Sequence, residues 1–225
     1  MLFMEVFMEE STRRRICLPD YTLGEELFNA ISHGLGALLS IAGLVLMLLR
    51  AHGVLPVVSV CVFGVSALAL YTISCLYHSL SPRCPGKRVL RVIDHCNVYL
   101  LVLGTYLPVS LLGVRGAAGW VLLGVVLAFS ALGITFTAIN VDRYQLVSVF
   151  CHLVCGWSIL FGVPALLRHM GPEGLGWLVA GGVCYTVGSV LYGLGKSRKY
   201  RHSAFHLFCL LGSFCHFWSV YAFLL

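Results

Sequence analysis

Residues 200–218 read YRHSAFHLFCLLGSFCHFW, and this stretch decides the fold. It is apolar enough to enter a membrane, yet it carries His202, His206 and His216. An ionisable side chain in hydrocarbon is costly unless it has a partner. How many such stretches the chain holds, and what the histidines meet inside them, are the two questions that organise the sequence.

Composition answers the first. Of the 225 residues, 59% are hydrophobic and 11% charged, against about 25% charged in a soluble domain. A spanning helix needs roughly 20 mainly apolar residues. Charged residues and Gly/Pro turns divide the chain into seven such runs, at 27–49, 54–77, 92–114, 119–139, 146–167, 175–194 and 204–225. Pro164 lies near the end of the fifth, where a helix break is tolerated. The expected fold is all-α: an integral membrane bundle of seven transmembrane helices at residues 25–225, after a short cytoplasmic leader at residues 1–24. The leader does not read as a secretory signal, because Glu5, Glu9 and Glu10 break its apolar run and Arg13, Arg14 and Arg15 follow.

Basic residues orient the bundle. Arg13, Arg14, Arg15, Arg83, Lys87, Arg88, Arg91, Arg143, Lys196, Arg198, Lys199 and Arg201 fall in the leader and the even-numbered loops. Only Arg50, Arg115 and Arg168 fall on the other side. Twelve against three puts the N-terminus in the cytoplasm and the C-terminus outside. The net charge of +6 follows this topology and carries no nucleic-acid signature. Most of the ten cysteines sit singly in apolar runs and none forms a C-x-x-C pair, so they read as packing residues.

With that topology the polar residues gather at one depth. Glu25, Glu26, Asn29 and His33 enter with the first span. Ser74 and His78 end the second, Asp94, His95 and Asn97 begin the third, and His202 and His206 begin the seventh. The outer halves of the spans are almost free of ionisable groups. Glu26, Asn29 and His33 form one stripe, which Gly36, Ser40 and Gly43 continue as small residues do at helix contacts.

Two histidines at i and i+4 can aim their imidazoles at one metal ion. A third nitrogen, from His78, would leave one tetrahedral position open, which is the pattern of catalytic zinc. Asp94 is then placed as an outer acceptor or as a general base, and Ser74 to hydrogen-bond water or a substrate carbonyl. The metal ligands expected are His78, His202 and His206, the catalytic residues Asp94 and Ser74, and the cofactor Zn²⁺. Two other readings stay open: each histidine as a hydrogen-bonding link between helices, or paired histidines ligating haem. His216 lies ten residues beyond His206, roughly 15 Å along a helix, and cannot share the site.

These motifs resemble the bacterial hemolysin III proteins, within the progestin and adipoQ receptor superfamily. The resemblance rests on EELFNAISHGLGALLSIAGL, SCLYH, DHCNVYLLVLGTYLP and HSAFHLFCLLGSFCHFW. The pattern S-x-x-x-H, Asp at the next helix start, then H-x-x-x-H is met by Ser74 and His78, Asp94, and His202 and His206. It implies a seven-helix bundle with one zinc ion on three histidines near the cytoplasmic face, in a bacterial plasma membrane. Adiponectin receptors and, more distantly, alkaline ceramidases suggest zinc-dependent hydrolysis of a membrane lipid amide or ester. The bilayer supplies the partner and the substrate. The hemolysin name implies instead a pore-forming, cytolytic or membrane-regulating protein with structural zinc.

Overall fold

The structure, a computed structural model, describes residues 17–194 and 199–225. Most of the expected leader, with Arg13, Arg14 and Arg15, and the loop residues Lys196 and Arg198 lie outside the described residues. The elements are helices α1 (Leu23–Arg50), α2 (Val54–Ser79), α3 (Gly86–Pro108), α4 (Gly116–Ile139), α5 (Gln145–Trp157), α6 (Val163–Leu194) and α7 (Arg201–Phe223). A π-helical stretch, Val109–Val114, continues α3, and a 3-10 stretch, Ser158–Gly162, joins α5 to α6.

Among the described residues there is no strand, and six helical runs are long and apolar enough to cross a membrane. The fifth run, Gln145–Gly193, takes in α5 and α6 and has 49 residues. An unbroken helix of that length would reach roughly 70 Å, against a hydrocarbon core of about 30 Å. It is broken at Gly171, whose φ of 68° and ψ of 178° no longer fit a helix. Only glycine adopts that backbone readily, and Pro172 after it can start a helix but not continue one. The gap expected between 167 and 175 is thus compressed into one residue. A second irregularity precedes Pro164, which has no N–H to offer the Leu160 carbonyl one turn back, and the chain there runs as the 3-10 stretch.

Helix starts also differ from the sequence reading. α1 opens at Leu23 because Thr22 and Glu25 form a reciprocal cap: Glu25 N donates to Thr22 Oγ1 at 3.4 Å, and Thr22 N to Glu25 Oε2 at 2.9 Å. α3 opens at Gly86, so Lys87, Arg88 and Arg91 are helical residues and not loop charges. Lys87 and Arg91 can sit there because both are buried in ion pairs.

Each helix packs on the next, and α1 packs on α7 to close the ring. α3 with its π-helical continuation is the hub, the most buried of the membrane-length helices, and α1 is the least buried. Leu38, Leu49, Val54 and Phe161 point outwards, as lipid-facing residues do. Lipid leaves little hydrophobic drive between helices, so close approach and hydrogen bonds hold them. Gly36 is buried against the Tyr71 ring and Leu210, leaving no room for a Cβ. The Ser213 hydroxyl meets the Tyr71 hydroxyl at 2.5 Å and the Tyr185 hydroxyl at 2.6 Å, joining α2, α6 and α7.

Candidate metal centre

The last turn of α2 carries His78, and the first two turns of α7 carry His202 and His206. The three are buried, and one ligand nitrogen of each lies within 4.8 Å of the others. The i, i+4 spacing brings Nε2 of His202 to 3.1 Å from Nε2 of His206. His78 Nδ1 lies 2.6 Å from Glu26 Oε2. A carboxylate oxygen accepts here, so Nδ1–H donates, and in a neutral imidazole the lone pair then lies on Nε2. That Nε2 is buried with no hydrogen-bond partner. Metal-binding histidines are commonly held this way, with a carboxylate on the far nitrogen fixing tautomer and orientation. The three imidazoles can hold a metal ion, and a set of three leaves a position for a further ligand.

Glu26 is the supporting carboxylate, a role the sequence did not disclose. Its second oxygen, Oε1, accepts from Lys87 Nζ at 2.5 Å. Lys87 also donates to the Leu80 carbonyl at 2.7 Å and lies 5.2 Å from the Tyr77 ring centroid. Its burial beside Glu26 is therefore offset by a full set of partners. The only sequence signal for Glu26 was its place on the stripe with Asn29 and His33. Nothing local marked Lys87.

Asp94 and Ser74, both buried, line one cavity with His33, His202 and His206. The Ser74 hydroxyl is buried with no hydrogen-bond partner among the described residues. Asp94 Oδ2 lies 3.8 Å from His95 Nδ1. His33 stacks on His206, with ring centroids 3.7 Å apart. Three half-buried histidines are tied to backbone. His95 Nδ1 donates to the Arg91 carbonyl at 2.7 Å, and its Nε2 accepts from the Tyr192 hydroxyl at 2.9 Å. His152 Nδ1 donates to Ser148 O at 2.8 Å. His216 Nε2 donates to Leu178 O on α6 at 3.1 Å, the interhelical link expected for it.

The site lies between two unlike spaces. Towards the ends of α3 and α7 is a polar chamber of about 540 Å³ that reaches His202. Tyr21 forms part of its wall, and burial pushes the Tyr21 phenol well above its ordinary pKa, with Tyr77 and Tyr192 adding to the effect. Towards the bundle centre the cavity adjoins an apolar slot of about 90 Å³, and the two share Leu101, Phe205 and Cys209.

Comparison with known proteins agrees with this architecture. The family model described as haemolysin-III related matches residues 21–217. The chain is 37% identical over 200 residues to "Hemolysin-3" of Bacillus cereus, covering 87% of this chain and 90% of that protein. It is 38% identical over 203 residues to "Hemolysin-3 homolog" of Bacillus subtilis (strain 168), covering 89% and 94%. A human protein, "Monocyte to macrophage differentiation factor", is 23% identical over 212 residues, covering 90% and 86%. Together with the membrane-length helices these matches make the chain a multi-pass membrane protein, and it belongs to the haemolysin-III related family.

Proposed function

We propose that the chain is a zinc-dependent hydrolase of a membrane lipid amide or ester. The observation that carries this reading is the convergence of His78, His202 and His206 beside Asp94 and Ser74, with His78 backed by Glu26. Zinc on three imidazoles supplies Lewis acidity that polarises a carbonyl and activates water at neutral pH. Asp94 accepts a proton at its carboxylate as water adds to the carbonyl, and returns it to the leaving group. Ser74 orients that carboxylate or donates to the substrate carbonyl. The apolar slot takes a hydrocarbon chain and the polar chamber a headgroup, so a bond between the two falls near the imidazoles. The bilayer delivers the lipid.

The same reading puts seven spans in a plasma membrane, with the N-terminus cytoplasmic and the C-terminus outside. The twelve-to-three basic asymmetry and the Gly171 break in a 49-residue run support it. A reporter fused after Leu225 that is active only in the cytoplasm would refute the orientation.

The decisive experiment measures metal and activity together. Purified wild type reconstituted in vesicles should contain about one zinc per chain and cleave a fluorescent lipid amide or ester. His206→Ala should lose both. Cleavage that persists in the zinc-free variant refutes the hydrolase reading. The name of the Bacillus relatives favours a second reading, a cytolytic pore with structural zinc. Dye leakage from vesicles holding the pure protein, without lipid cleavage, would establish that one.

A further inference from the structure

The polar chamber is closed on one side by the chain itself. Residues 17–22, just ahead of α1, contribute Cys17, Asp20 and Tyr21 to its wall, opposite Arg91, Tyr192 and His202. One end of this segment is pinned at Cys17. Its carbonyl accepts from Arg91 Nη1 at 2.6 Å, and its N–H donates to Asp142 Oδ2 at 3.3 Å. Arg91 and Asp142 are themselves joined by a two-pronged pair, Nη1 to Oδ2 at 2.9 Å and Nη2 to Oδ1 at 2.8 Å. The other end is pinned by the Thr22–Glu25 cap, and Glu25 Oε1 also accepts from Tyr200 N at 2.7 Å, at the start of α7. Between the pins, the Tyr21 ring lies nearly parallel to the His202 ring, with centroids 5.1 Å apart and an 18° angle. It also lies 5.8 Å from the His78 ring. A side chain ahead of the first helix thus covers two of the three candidate metal ligands.

We propose that residues 17–22 are a strap that gates the metal centre, with Tyr21 as the plug and the Arg91–Asp142 pair as the latch. Among the described residues the strap is tied at its two ends, and between them the Tyr21 ring packs on the His202 and His78 rings. Segments held that way open without unfolding the rest of the structure. When it lifts, His202 and His78 are open to the polar chamber, and a hydrated divalent ion or a polar headgroup reaches them. When it is down, the Tyr21 ring covers one face of His202 and stands beside His78, so the chamber reaches His202 only at its uncovered edge. Arg91 couples the latch to the hub helix, because it grips the Cys17 carbonyl and Asp142 at once. The strap rests on the metal reading only for its first probe.

The test follows zinc moving from loaded, detergent-solubilised protein to a fluorescent chelator. Tyr21→Ala should release zinc at least tenfold faster than wild type, with the same zinc content before the chelator is added. Tyr21→Phe keeps the ring and should stay within twofold of wild type. Equal rates for Tyr21→Ala and wild type overturn the gate. So does a Tyr21→Ala protein that holds no zinc, because Tyr21 would then be part of the site and not its cover. A second measurement needs no metal: the rate at which diethyl pyrocarbonate modifies His202, read by peptide mass spectrometry with exposed His52 as the internal reference. After chelator treatment, Tyr21→Ala should accelerate modification of His202 and leave that of His52 unchanged. A wild type that binds no zinc would refute the metal reading, and the His202 rate alone would then decide the gate.

Discussion

Glu26 joins His78 to Lys87: one carboxylate oxygen lies 2.6 Å from His78 Nδ1 and the other 2.5 Å from Lys87 Nζ. Three helices, α1, α2 and α3, each supply one member of this chain. An imidazole of the candidate metal centre, its carboxylate and the cation that holds the carboxylate are therefore placed by packing.

The first prediction concerns Glu26 itself. Glu26→Gln keeps an acceptor near His78 but removes the negative charge that orients it and raises its basicity. Losing such an outer partner costs roughly 10–100-fold in metal affinity. Competition against a chelator of known affinity should show that weakening, with the helical content unchanged.

Lys87 should matter for stability more than for metal. It is 2% exposed, so Lys87→Met leaves Glu26 charged and poorly solvated. Breaking a buried pair from one side costs about 3–5 kcal/mol. Thermal unfolding in detergent should show the loss. The double variant with Glu26→Gln should recover part of it, because the charge left unpaired is then gone.

The break between α5 and α6 yields a third test. The Tyr106 hydroxyl lies 2.6 Å from the Cys155 carbonyl and 2.9 Å from the Gly156 carbonyl, and it accepts from Ile159 N at 3.0 Å. It thus serves backbone groups at the helix end ahead of Pro164. Tyr106→Phe takes the hydroxyl from them, and although Cys155 O keeps the Ser158 N–H, the loss should cost about 1–3 kcal/mol. A lowered unfolding temperature with metal content intact is the expected result.

Gly171 supplies the fourth. Its φ of 68° with ψ of 178° is a conformation that a side chain resists, so Gly171→Ala should cost on the order of 1–3 kcal/mol. Nothing stands within 4 Å of the position a Cβ would take, so the cost is backbone strain and not a clash. An alanine variant as stable as wild type would show that the run bends elsewhere.

Much of this protein is legible in its amino-acid sequence. Hydropathy and residue count mark the membrane-length helices, because a lipid-facing helix must be apolar along its length. The spacing of His202 and His206 puts both on one face of α7, since residues four apart share a face. The end-of-span position of His78 sets it at the same depth.

What the sequence could not decide was which side chains meet across helices. Asp94 was expected as an outer acceptor or as a general base for bound water; that a second carboxylate, Glu26, bonds His78 from 52 residues away was not foreseen. Lys87 and Arg91 counted as loop charges. They are helical and buried, Lys87 bound to Glu26 across 61 residues and Arg91 to Asp142 across 51. Hydropathy and periodicity are local quantities that give a helix its depth and its inward face. The rotation of each helix against its neighbours depends on how all the side chains pack at once, and that packing alone placed Glu26 behind His78 and Tyr21 over His202.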